Sequence, residues 1–172
     1  MERIRLSLFT VYTPSMKNKV FTFNSLKDLD KRVLDFDATV LKGNKPFLLL
    51  KHWDNCGHCH EFSQKVFTPA FKNKVAKSMP IVEMEYAVHS HLQDAHPDHP
   101  LSLQMKGTPD VFPLLTVIVP GQGGYTGTHD FKGPRESKDV EDYVKGFVKA
   151  KPKKSPSKVK AKLSHKAKVS KK

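Results

Sequence analysis

The feature that most constrains this chain is a junction. An uninterrupted apolar run, Phe47-Leu-Leu-Leu50, is followed closely by Cys56-Gly57-His58-Cys59 and then by apolar residues at helical spacing. The turn-forming stretch Lys42-Gly-Asn-Lys-Pro46 precedes the run. A short apolar run bounded by turn signals suits a strand covered on both faces. Beyond it, Cys59, Phe62, Val66 and Phe67 share one face of a helix. A strand covered on both faces needs layers on each side, and along the rest of the chain strands alternate with helices and end in a hairpin, which makes the predicted class α/β: a mixed central sheet flanked by helices on both faces.

The rest of the pattern fits that class. Val20–Phe23 reads as a short strand. Ser25 is a candidate cap for a helix carrying Leu26, Leu29, Val33, Phe36 and Val40. Thr68-Pro69 reads as a cap and first residue of another helix, continued by Phe71 and Val75. Ile81 to Tyr86 and Val111 to Val119 read as strands, the second interrupted by Pro113. A turn at Gly121-Gln-Gly-Gly124 leads to a hairpin partner over Tyr125 to Phe131. Val140, Tyr143, Val144, Phe147 and Val148 define a final amphipathic helix. At 172 residues the chain suits one domain and a tail. The predicted divisions are an N-terminal strand extension over 1–19, where Ile4, Leu6 and Leu8 alternate with polar residues, a domain over 20–149 and a tail over 150–172.

The cysteine pair carries the chemistry. A helix N-terminus offers unpaired N–H groups and positive dipole charge, which favour a thiolate. Cys56 is therefore the expected nucleophile. Cys59, one helical turn on, is the expected resolving thiol, attacking a mixed disulfide to release the partner. His58, when charged, would stabilise the thiolate further and push the pair toward being an oxidant. Two other readings remain open. Cys56 and Cys59, supplemented by His52, His58 or His60, could form a metal site, although a structural zinc needs four ligands and the chain has only two cysteines. The pair could also be buried and inert. The expected state is one without metal or other cofactor, the redox-active group being the Cys56–Cys59 disulfide.

Cys56-Gly-His-Cys59 resembles the active-site motif of protein disulfide isomerases, within the thioredoxin superfamily; the resemblance covers roughly residues 20–149. Val111-Phe112-Pro113-Leu-Leu-Thr-Val117 resembles that family's strand with a cis-proline facing the active site. The resemblance implies that Pro113 packs by the cysteines and that its neighbouring backbone pairs with substrate, with Phe112 and Trp53 as further substrate contacts. The competing account of Pro113 is an edge-strand proline. Phe131-Lys-Gly133-Pro-Arg135 resembles the family's aromatic-x-Gly-x-Arg element. It implies that Arg135 modulates the second cysteine, with Gly57 of the motif as another modulating position; a solvated loop arginine is the competing account. The implied activity is thiol–disulfide exchange on protein thiols and disulfides.

Three departures weaken the likeness. The family's buried carboxylate, six residues before the first cysteine, is Leu50 here. The tryptophan usually preceding the motif is Asn55, with Trp53 displaced, and the helix proline after the second cysteine is missing. The segment from Cys59 to Phe71 instead resembles another thioredoxin-like branch, the thiol:disulfide interchange and thiol-trapping domains. Asp54 or Glu61 are the acidic residues placed to substitute for Leu50.

Four histidines cluster in His89-Ser-His91-Leu-Gln-Asp94-Ala-His96-Pro-Asp-His99. The stretch is expected to be a solvated polar loop beside Pro113 that shapes a substrate groove; His91, Asp94 and His99 are its candidate metal ligands.

The net charge of +13 is concentrated at one end: residues 150–172 hold ten lysines and no acid, leaving 20 basic against 17 acidic residues in 1–149. Such a tail is predicted to be disordered. Without aromatic residues it suits phosphate-backbone attraction rather than base readout, so nucleic acid or another polyanion is the expected partner. Lys151-Pro-Lys-Lys154 resembles a nuclear import signal, and Lys154-Ser-Pro156 a proline-directed phosphorylation site. The competing function is a non-enzymatic accessory protein whose tail holds nucleic acid. With no signal-peptide run and no stretch long enough to span a membrane, the expected location is cytoplasm or nucleus, or a virion assembled there.

Overall fold

A computed structural model describes residues 19–103, 112–121 and 124–149. The elements run β1 (Val20–Phe23), α1 (Leu29–Phe36, continued by one π-turn, Asp37–Leu41), β2 (Phe47–His52), α2 (Gly57–Lys65), α3 (Pro69–Val75), β3 (Ile81–Glu85), α4 (Tyr86–Ala95), α5 (Pro100–Leu103), β4 (Leu114–Gly121), β5 (Gly124–Asp130) and α6 (Ser137–Lys149). The expected strand of residues 1–19 lies, apart from Lys19, outside the described residues, as does the tail from Ala150 onward.

The strands form one sheet in the order β1-β3-β2-β4-β5. The first three are mutually parallel, and β4 runs antiparallel to β2 and β5. Both faces are covered, as the Phe47–Leu50 run requires. Period-two alternation sends Phe47 and Leu49 into a core with Leu29, Val33, Phe36, Val88, Leu92 and Leu101, from α1, α4 and α5. It sends Leu48 and Leu50 into a second core with Phe62, Phe71, Val75, Val140 and Val144, from α2, α3 and α6. This is the thioredoxin-like arrangement of a mixed sheet with helices on both faces.

Phe36 anchors the first core. Fully buried, it meets Phe21, Phe23 and Phe47 edge-on at centroid distances of 5.4, 6.4 and 5.2 Å. Burying one such ring is worth about 2–3 kcal/mol, with a further ~1 kcal/mol from edge-to-face geometry.

Two local expectations need correcting. Ser25 does not cap α1: the N-cap is Asp28, in a left-handed conformation with φ 56°, and Leu26 is exposed rather than on the buried stripe. The helix starts later because its first inward-facing residue is Leu29. The histidine-rich stretch is a loop only at its end: residues 89–95 are helical and 96–99 form the turn into α5. Its helical part belongs to α4, whose first turn is capped by Glu85, the carboxylate accepting from the amides of Ala87 and Val88 at 2.5 and 3.1 Å. Its buried face is Val88, His89 and Leu92. His96 and His99 reach α1 and its π-turn: His96 Nε2 lies 3.2 Å from Asp30, and His99 Nε2 lies 2.8 Å from Asp37. The Leu101 amide donates to His99 Nδ1 at 3.2 Å. His99 thus accepts at Nδ1 and donates at Nε2. Among the described residues, no group of three or more His, Cys, Asp or Glu is arranged to hold a metal, and no helix is long and apolar enough to cross a membrane.

Candidate active site

The topology gathers the cysteines, Pro113 and Arg135 at one end of the sheet. Parallel β2 ends at His52, and the chain turns directly into α2. Because β4 is antiparallel to β2, with Lys51 opposite Leu114, β4 starts where β2 ends. Pro113 therefore stands beside the cysteine turn. The β4–β5 hairpin returns to the same end, with Asp130 opposite Thr116, and delivers Gly133 to Arg135 there. The C-terminal ends of parallel strands are where open α/β sheets place their sites.

Cys56 is the N-cap of α2. Its Sγ accepts the Cys59 amide at 3.3 Å, and its thiol lies 3.9 Å from the Phe112 carbonyl oxygen. The Phe112–Pro113 peptide is cis. A hydrogen bond from the Cys59 thiol lowers the pKa of Cys56 most; desolvation is the next largest influence and opposes it, and the amides of Cys59 and His58 and the Arg135 guanidinium lower it further. Cys59 is moved the other way. Burial, then its hydrogen bond to Cys56, push its thiol up to about 11. A half-buried thiol with stabilised charge next to a buried one held neutral is what an attacking and a resolving sulfur require.

The other expected residues fall around this pair. His58 contributes its backbone amide to Cys56, while its exposed ring lies in a cleft with Glu61, Lys65 and Arg135. Gly57 opens α2, and a Cβ there would touch nothing within 4 Å, so sterics do not demand glycine. Arg135 donates to the Pro113 carbonyl at 3.4 Å and lowers the pKa of both cysteines. A cavity of about 350 Å3 beside it is lined by Pro113, Leu114, Phe131 and Phe62. Trp53 is 42% exposed, and its carbonyl accepts the Cys56 amide at 3.0 Å. The Phe112 ring meets Tyr86 edge-on at 5.8 Å, a partner with no signal in the sequence.

Leu50, at the position of the family's buried acid, is fully buried in the second core. Glu61 is exposed and held by Lys65 at 2.6 Å. Acidity near Cys59 comes instead from Asp54 and from Glu83, a buried residue of β3 directly opposite Leu50 and ion-paired with Lys72 at 2.9 Å. Glu83 is visible in the sequence only as a polar interruption of an apolar strand, Ile81-Val-Glu-Met-Glu85.

No family model and no curated protein matches the chain. Solved structures are similar to it in backbone. The J-Trx1 fragment of ERdj5 is 16% identical with a TM-score of 0.48, over 76% of this chain and 52% of that one. A thioredoxin from Thermus thermophilus is 10% identical with a TM-score of 0.47, over 76% and 86%. The first thioredoxin domain of mouse protein disulfide-isomerase A4 is 17% identical with a TM-score of 0.43, over 80% and 81%. The chain spans about half the length of that ERdj5 fragment. Its own strand order, with a cysteine pair opening α2 and a cis-proline opening β4, defines it as a thioredoxin-like fold.

Proposed function

We propose that the chain is a thiol–disulfide oxidoreductase acting on protein substrates, with Cys56 as nucleophile and Cys59 as resolving thiol. The observation that carries this reading is the split environment of the pair: Cys56 caps a helix and faces the carbonyl before cis-Pro113, while Cys59 is buried and held protonated. Cys56 attacks a partner disulfide, and Cys59 then displaces the partner from the mixed disulfide. Phe112, Pro113 and Trp53 border the attacking sulfur as substrate contacts, and Arg135 favours both thiolates.

The test is reduction of insulin by the full chain with dithiothreitol as electron source. Wild type accelerates precipitation of the insulin B chain, and Cys56→Ser abolishes the acceleration. Equal rates for the two would sink the enzyme reading. Equilibration with glutathione then sets the direction of electron flow, each 30 mV or so corresponding to about 1.4 kcal/mol for this couple.

A second reading is favoured by the charge distribution. Ten lysines without a single acid in 150–172 suit retention on a polyanion such as nucleic acid. The two readings are compatible, a redox domain delivered to cytoplasmic or nuclear sites by its tail. If the cysteines prove inactive, the tail alone defines an accessory protein.

A further inference from the structure

Resolution by Cys59 needs a proton acceptor. A buried thiol held at about 11 is ionised in only about one molecule in 10⁴ at neutral pH. Behind Cys59 lies a cavity of about 250 Å3, bordered by Asn24, His52, Asp54, His60 and Glu83. Alternation along β2 puts His52 on the face of Leu48 and Leu50, the face that α2 covers.

We propose that His52 accepts the Cys59 proton through water in this cavity, which makes it the positioning and proton-accepting residue of the resolving step. The proposal rests on the thiol–disulfide reading above.

The surroundings of His52 suit the task. Its Nε2–H donates to Asn24 Oδ1 at 3.1 Å, which leaves Nδ1 with the lone pair; Asp54 Oδ1 lies 3.5 Å from Nδ1, placed to pair with the imidazolium once a proton arrives. Burial lowers its pKa, leaving the ring neutral and able to accept at neutral pH. The carboxylates of Asp54, Glu83 and Glu85 favour the imidazolium once formed; His60, on α2, opposes it. Lys72 on α3 offsets part of the Glu83 charge. Glu83, another base bordering the cavity, already has Oε1 engaged by Lys72 Nζ at 2.9 Å. The volume admits several waters, and its polar lining offers them partners.

The step balances as follows. In the mixed disulfide, Cys59 Sγ–H gives its proton to His52 by way of water. Cys59 Sγ forms a bond to Cys56 Sγ, and the bond from Cys56 Sγ to the partner sulfur breaks. The partner leaves with the electron pair as a thiolate and takes a proton from solvent. The cysteine pair is oxidised by two electrons, the partner disulfide is reduced by two, and His52 returns its proton to solvent.

The test uses the reduced full chain and an aromatic disulfide, dithionitrobenzoate, in stopped flow. Attack by Cys56 releases one thionitrobenzoate, and attack by Cys59 releases the second; Cys59→Ser, which lacks the second phase, assigns it. His52→Gln and His52→Ala are expected to slow the second phase about tenfold or more and to leave the first unchanged. Added imidazole restores the second phase in His52→Ala. In wild type that phase falls as His52 is protonated, with a break below the ordinary histidine range that both variants lack. An unchanged second phase overturns the proposal. So does a slowed phase that imidazole does not restore and whose pH break persists, which marks a structural role. Slowing by Glu83→Gln but not by His52→Gln assigns the proton to Glu83 and also overturns it. The two phases are read on the thiols themselves, so failure with insulin would end the enzyme reading without deciding the role of His52.

Discussion

Cys56 and Cys59 are three positions apart, and their environments pull their acidities in opposite directions. The largest influence lowering Cys56 is the hydrogen bond from the Cys59 thiol, ahead of the helix amides and Arg135. This yields a prediction that separates partner from helix. Cys59→Ser keeps a donor at that position and should leave the Cys56 alkylation midpoint below the ordinary thiol range. Cys59→Ala removes the donor and should raise it. Iodoacetamide alkylation rates across pH read both; identical midpoints would mean that the helix amides and Arg135 set the acidity without the Cys59 donor. In Cys56→Ser, Cys59 should stay unreactive until far higher pH, because burial is the chief cause of its raised value. The stability signs differ accordingly. Depressed Cys56 contributes stability above the unfolded thiol pKa that is lost as pH falls through its folded value. Raised Cys59 destabilises the fold as pH climbs from the unfolded thiol value toward about 11, because the unfolded chain releases that proton first.

At the scale of elements, legibility followed the apolar signal. The β2–cysteine–α2 junction could be read because Phe47–Leu50 is continuous and Cys59, Phe62 and Val66 repeat at helical spacing. Thr68-Pro69 could be read because cap and proline act locally, and the Thr68 hydroxyl accepts the Phe71 amide at 3.2 Å. Helix α4 could not. Its inward face includes a histidine between Val88 and Leu92, and its cap is Glu85, which reads as the end of a strand. In the sequence His52 reads only as a candidate metal ligand, since the cavity it borders is shared with β3 and α2. The corrected account of 89–99 makes its own prediction. His99 joins α5 to the π-turn of α1 through Leu101 and Asp37. His99→Ala should cost about 1–3 kcal/mol in urea unfolding, chiefly by stranding the buried Leu101 amide, the Asp37 carboxylate being partly exposed. Cys56 alkylation should not change, since His99 pairs across α1 rather than with the cysteine turn. A variant of full stability with altered insulin reduction would restore the groove-shaping account instead.

Across the whole molecule, charge and chemistry are separated along the chain. The body is nearly balanced at +3 over 1–149, while the last 23 residues carry ten positive charges. A domain so nearly balanced gains little long-range attraction for an anion from its own charge, so any polyanion affinity should reside in the tail. Binding driven by released counterions falls steeply with salt: engaging six to ten phosphates loses roughly 10³–10⁵ in affinity between about 50 and 200 mM salt. The full chain should therefore bind double-stranded DNA without sequence preference and with that slope. A chain truncated after Lys149 should lose binding while keeping both thiol phases, because α6, the last element packed on the second core, remains intact. Fluorescence anisotropy over a salt series measures the first, and stopped flow the second. Equal DNA affinity in the truncated chain would move the anion site onto the domain. Loss of the thiol phases on truncation would instead show that the tail supports the active site and that the two functions are not separable.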